Sequence, residues 1–166
     1  AAGRYVDPVV TPSNTGGTSY PAIIIRGAGR DQTFLDGEGA RRLITLGDQT
    51  TLLLYDVTIE NGRATDGGAI YLEGVGGIGV YNSRLRNNSA TEYGGAIALK
   101  GDPTVNEYLS ALILNTEITN NSAKYGGAAS LHGTMRGSLR LDQTIAQDNF
   151  AVDGGVVHGI DADLRL

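Results

Sequence analysis

Short apolar stretches recur along this chain, separated by glycine and asparagine, and several of them alternate. In residues 69–72, 96–99 and 128–131 the apolar positions are Ile70/Leu72, Ile97/Leu99 and Ala129/Leu131, with Tyr71, Ala98 and Ser130 between them. A period of two marks a strand with one buried face, so the intervening residues are expected to point outward. A fourth run, 156–160, stands in the same place. Two further runs follow: TLLLYD, IGVYN, ALILN and SLRLD, then VTI, SRL, TEI and QTI. In the last set Ile59, Leu85, Ile118 and Ile145 take the inward place, while Thr58, Arg84, Glu117 and Thr144 take the outward one. A helix would need apolar residues at i, i+3, i+4 and i+7, and glycine or β-branched residues interrupt any such series.

The runs belong to a repeat. Gly-Gly pairs stand at Gly67-Gly68, Gly94-Gly95, Gly126-Gly127 and Gly154-Gly155, at intervals of 27, 32 and 28 residues. Each pair closes a similar stretch: NGRATDGG, NNSATEYGG, NNSAKYGG and DNFAVDGG. Three strands in a turn of about 28 residues, like stacked on like, predict an all-β chain: a right-handed, single-stranded parallel β-helix of about five coils. Polar residues mark its corners. Asp56, Asn82, Asn115 and Asp142 end the second run, and Asn61, Asn87, Asn120 and Asp148 end the third. Equivalent positions in a solenoid lie about 4.8 Å apart, so each file is expected to form a ladder. Asn and Asp also tolerate the left-handed backbone that corners require.

The whole chain, 1–166, reads as one β-helix segment. Residues 1–20 form a partial coil with an entry turn. Residues 21–51 form a diverged first coil with strands at 23–26, 33–36 and 43–46, and 52–166 hold the four Gly-Gly repeats. Neither end shows an amphipathic capping helix, so further coils or other protein subunits are expected at the open ends.

Composition narrows the function classes. The chain has no cysteine, which removes disulfides, thiolate metal sites and cysteine nucleophiles. A net charge of −5 argues against nucleic acid as a partner. No apolar run approaches the roughly 18 residues of a spanning helix, so membrane insertion is not expected.

The repeat N-x-x-A-x-x-G-G-A-I, complete at 61–70 and one residue longer at 87–97, resembles the GGA(I/L) and FxxN repeats of the polymorphic outer-membrane-protein type β-helix. Leu85 and Ile118 stand where that family has Phe. The stretch PAIIIRGAGRDQTFLDGEGARRLITL resembles the opening coils of secreted pectate-lyase-like β-helix proteins of bacteria. The two resemblances cover residues 20–155. They imply the parallel β-helix fold and a secreted, periplasmic or cell-surface location, and leave the activity open, because that superfamily holds lyases, hydrolases, adhesins and spacers.

The resemblance also implies where chemistry would sit, on the outward columns of the first sheet. These read Ala69, Ala96, Ala128, Val156; then Tyr71, Ala98, Ser130, His158; then Glu73, Lys100, His132, Ile160. Glycoside hydrolysis calls for two carboxylates on one face, and lyase chemistry for a base beside a cation. Only Glu73 is acidic here, and against Lys100 it reads as a surface ion pair. Two carboxylates outside the columns, Asp102 and Glu107, belong to the longer insertion GDPTVNEY. His132 and His158 read as exposed imidazoles on a strand, with a two-histidine metal site as the alternative, and neither a metal nor a cofactor is expected. Tyr93 and Tyr125 precede successive Gly-Gly pairs and read as stacked on each other, or as a platform for a sugar or a protein. Tyr71, Tyr93, Tyr125, His132 and His158 are therefore the candidate binding residues. The expected function is a non-catalytic extracellular or cell-surface module, a scaffold or an adhesive element meeting another protein or a polysaccharide. The alternative is a polysaccharide lyase or hydrolase, or a carbohydrate-binding β-helix.

Overall fold

Four parallel sheets wind through the chain as a solenoid of about five turns. The structure, a computed structural model, describes residues 1–11, 13, 21–102, 104, 108–133 and 136–159 and the backbone of 163–165. Among the described residues there is no helix. Sheet 1 stacks Ala22–Arg26, Thr50–Tyr55, Gly76–Tyr81, Leu109–Leu114, Gly137–Asp142 and Asp163–Arg165. Sheet 2 stacks Gly3–Tyr5, Thr33–Asp36, Thr58–Glu60, Arg84–Arg86, Glu117–Thr119 and Ile145–Gln147. Sheet 3 is short and holds Arg63–Ala64, Ser89–Ala90, Ser122–Tyr125 and Phe150–Asp153. Sheet 4 stacks Val9–Val10, Ile44–Leu46, Ile70–Glu73, Ile97–Lys100, Ala129–His132 and Val157–Gly159. Sheets 1, 2 and 4 are the three expected strands of each coil. Sheet 3 lies in the stretch leading to the glycines.

The alternation of the runs produces the core. Ile70, Leu72, Ile97, Leu99 and Leu131 from sheet 4 meet Leu52, Leu54, Val80 and Ile113 from sheet 1 and Ile59, Leu85 and Ile118 from sheet 2, all of them fully buried. Each such side chain stabilises the fold by roughly 1.5–3 kcal/mol. Thr50, Gly76, Leu109 and Gly137 pair in one file, so successive coils take 26, 33 and 28 residues without disturbing the register.

The Gly-Gly pairs have two separate reasons. The first glycine of each pair has a left-handed φ: 57° at Gly67, 62° at Gly94, 67° at Gly126 and 63° at Gly154. The second leaves no room for a side chain, since a Cβ on Gly68 would lie 2.4 Å from the Gly95 carbonyl and one on Gly95 2.1 Å from that of Gly127. The Gly68 N–H donates to Gly95 O at 3.1 Å, so the pairs touch rung to rung.

Three expectations change. From Thr50 on, each coil begins its sheet 2 strand eight residues after its sheet 1 strand, and by that count Gln143 rather than Asp142 takes the left-handed corner (φ 47°) in the file of Asp56, Asn82 and Asn115. Asp142 stays on the strand, opposite Leu114. The same count turns Ile145 outward, opposite Glu117 and 55% exposed, and puts Ala146 in the inward place. Second, Ala69, Ala96 and Ala128 are not outward; they are fully buried in the core. The N–H groups of Ala69 and Ile70 both donate to Ala96 O, at 2.9 Å each, a bulge that points two successive residues inward. Third, the corner files behave differently. Asn82 donates to Asp56 and Asn115 to Asn82, at 2.5 and 3.2 Å, which links one file. Asn61, Asn87, Asn120 and Asp148 supply the left-handed bend, with φ of 54–57°. The buried amide ladder beside that file belongs to the next residue. Asn88 donates to Asn121 and Asn121 to Asn149, at 3.0 Å each, and each of the three also donates to the carbonyl of Ile59, Leu85 or Ile118.

Candidate functional site

The outer face of sheet 4 carries the residues with chemical potential, and Tyr71, Ala98, Ser130 and His158 stand in the expected register, with Thr45 heading their column. It is not open to solvent throughout. Ala98 and Ser130 are fully buried and His132 is only 9% exposed. The glycine corners explain this. Gly94 lies against Ala98, and Gly126 and Gly154 lie against His158, so the tight turns fold back over the sheet. They bring the preceding tyrosines with them.

Tyr93 and Tyr125 bridge as neighbours across a coil and stack at 4.9 Å with 22° between their planes. Tyr93 also stacks on His132 at 4.0 Å and 18°, and Tyr125 tilts against His158 at 5.1 Å. The Asp66 carboxylate accepts the Tyr93 backbone N–H at 3.2 Å, holding the turn from the coil before. Burial pushes the His132 imidazole below its ordinary pKa; the charge of Asp66 opposes that, and Lys100 and His158 add to it. Ser130 Oγ, His132 Nδ1 and His158 Nε2 are the buried side-chain polar atoms without a hydrogen-bond partner among the described residues.

Tyr71, two rungs from Ser130 in the same column, has a different setting. The Arg42 guanidinium covers its ring at 4.5 Å and is tied to the carbonyls of Asp66 and Gly67 at 2.7–3.1 Å. Burial, and then the Glu73 charge, raise the Tyr71 phenol above its ordinary value. Glu73 pairs with Lys100 at 2.9 Å, and that ammonium holds its carboxyl below the usual range. A groove of about 760 Å³ opens here, lined by Thr11, Asp48, Tyr71, Glu73, Lys100 and Asp102 among others. Asp102 accepts the N–H and hydroxyl of Thr104 at 2.8 and 2.6 Å, and these bonds hold its carboxyl below the usual range. Glu107 and Ile160 lie outside the described residues.

The structure thus brings Tyr93, Tyr125, His132 and His158 into one cluster with Ser130 and sets Tyr71 apart in the groove. The expectation that both imidazoles stand exposed fails for His132, because the tyrosine turn covers it. Ser130 was read only as an outward residue, and its place opposite His158 was the available signal. Comparisons of the chain with protein-family models, with curated proteins and with solved structures find no match.

Proposed function

We propose that the chain is a non-catalytic β-helix module of the extracellular space or cell surface, a rigid scaffold that meets other proteins through its outer faces. The state of its outward carboxylates carries this reading. Glu117 is held by Arg84 at 2.7 Å and Arg30 at 3.3 Å, Glu60 by Arg86 at 2.6 Å, and Asp36 by Arg4. The carboxyls of Asp36, Glu73, Asp102 and Glu117 all lie below the ordinary range. Protonating a leaving group calls for the opposite, a carboxyl raised toward neutral pH. The outside of sheet 1 supports a docking role. Ile24 is 61% and Tyr108 53% exposed, and Tyr108 borders a hollow of about 410 Å³ over Gly77 and Gly79, with Leu53 and Leu112 on its walls.

A second reading, a carbohydrate-binding β-helix or a polysaccharide lyase, is favoured by the groove beside Tyr71, Glu73, Lys100 and Asp102. Likeness to the polymorphic outer-membrane-protein and pectate-lyase-like families is part of the proposal. Incubation with pectate, alginate and related polymers, with and without calcium, tests both readings. The module reading expects no unsaturated product. Turnover that disappears in Asp102→Ala or Glu73→Gln establishes the lyase instead. Retention on a glycan array that Glu73→Gln abolishes, without turnover, establishes the carbohydrate-binding reading.

A further inference from the structure

Other buried polar side chains of this solenoid are hydrogen-bonded: Ser83 accepts from the Val57 N–H of the coil before at 3.3 Å, and Thr116 from the Ser83 N–H at 3.4 Å. Ser83 donates to the Tyr81 carbonyl at 2.7 Å, Thr116 to that of Leu114 at 3.0 Å, and the buried asparagines bond as described. Leaving a buried polar atom unpaired costs about 1–3 kcal/mol, so native structures keep few of them. Here three lie on one face of two adjacent strands. Ser130 is directly opposite His158, and His132 stands two residues beyond Ser130 on the same strand. Such unpaired groups, gathered at one spot, call for a missing occupant.

We propose that His132, His158 and Ser130 form a binding site for one imidazole-preferring divalent metal ion, of the Zn²⁺, Ni²⁺ or Cu²⁺ class. The geometry suits it. His132 is the diagonal neighbour of His158 on the same face, within reach for long side chains, so the two imidazoles can converge on an ion about 2 Å from each nitrogen. The unpaired nitrogens, Nδ1 of His132 and Nε2 of His158, are the ligand atoms, and the Ser130 hydroxyl reaches the ion directly or through a bound water. Tyr93, flat on the His132 ring at 4.0 Å, fixes that ring in place before the ion arrives. His158 is half-buried, with its Nε2 enclosed like the other two atoms. Imidazole ligands select this class over Mg²⁺ and Ca²⁺, which take oxygen. The sequence weighs against a metal because no carboxylate follows Glu73 in these columns; the buried Ser130 hydroxyl supplies an oxygen in its place.

The test is a calorimetric titration of the whole chain with Zn²⁺ and, separately, with Mg²⁺, with Co²⁺ absorption as a spectroscopic check of nitrogen ligands. The expected result is one Zn²⁺ per chain, no Mg²⁺ heat, and affinity lowered at least about tenfold in both His132→Phe and His158→Leu. His132→Phe keeps a ring against Tyr93, and circular dichroism confirms that each variant remains folded. Absence of Zn²⁺ binding to the parent chain overturns the proposal and leaves water as the occupant. Binding that persists unchanged in the folded double variant overturns it equally.

Discussion

Two stacks of buried polar side chains run along the same coils and meet opposite fates. At the corner between sheets 2 and 3, Asn88, Asn121 and Asn149 give their amide donors to each other and to core carbonyls. On the outside of sheet 4, tyrosines lie against His132 and His158, and these two and Ser130 keep one buried unpaired atom each. The first stack is periodic, one identical residue per coil, so every rung supplies the partner of the next. The second changes residue at each coil, from Tyr71 through Ala98 to Ser130 and His158, so no rung completes another. Repetition is what satisfies polar groups in a solenoid, and a break in repetition inside a buried layer marks a place where the occupant comes from outside.

The most damaging way to break this contrast is to separate the rungs themselves. Gly95→Ala places a methyl 2.1 Å from the Gly127 carbonyl and is expected to cost about 4 kcal/mol, read as a lower urea midpoint, with both stacks lost together. Asn121→Ala strands the Asn88 backbone N–H, the Asn88 side-chain amide and the Leu85 carbonyl, and should cost about 3 kcal/mol in the same assay. Ser130→Ala sharpens the contrast by its opposite sign: removal of an unpaired buried hydroxyl should raise stability by about 1 kcal/mol in metal-free buffer. A loss as large as that of Asn121→Ala would show that Ser130 is already paired.

The smallest effect concerns the ion pairs of sheet 2. The Arg84 guanidinium, bonded to Glu117, holds that carboxyl below its ordinary value of 4.5 against the cost of burial, with Arg30 adding to it. The folded state therefore binds this proton less readily than the unfolded one. The contribution is fully present above about pH 4.5 and fades as the pH falls through the lower folded value. Denaturation midpoints between pH 6 and 3 should drop less steeply in Glu117→Gln than in the parent, by under about 1 kcal/mol in all.

Much of the fold was legible, because stacking repeats a physical demand at every turn. Gly67 and Gly94 need a left-handed backbone, Gly68 and Gly95 need close approach, and both demands write glycine into the same two positions. The errors arose where counting along the chain departs from counting along the coil. Ile145 stands eight residues after the start of its sheet 1 strand where Ile59, Leu85 and Ile118 stand nine, which reverses its facing, and a shared carbonyl at Ala96 hid the inward turn of Ala69. The asparagine pairs 87–88 and 120–121 were visible, but sequence could not say that the first residue bends the chain and the second enters the ladder. The histidine site was legible only as a column. Its burial depends on Tyr93 lying across a strand of a later coil, a contact between residues 39 apart that no local pattern encodes.

The coil running from Gly76 to Leu109 takes 33 residues where the one before takes 26, yet both hold their partners in perfect alignment. Length added between Lys100 and Leu109 is thus invisible to the stack. That makes the seam a natural graft point: peptide cargo of varied length inserted there would be displayed beside the groove while the scaffold beneath kept its pitch.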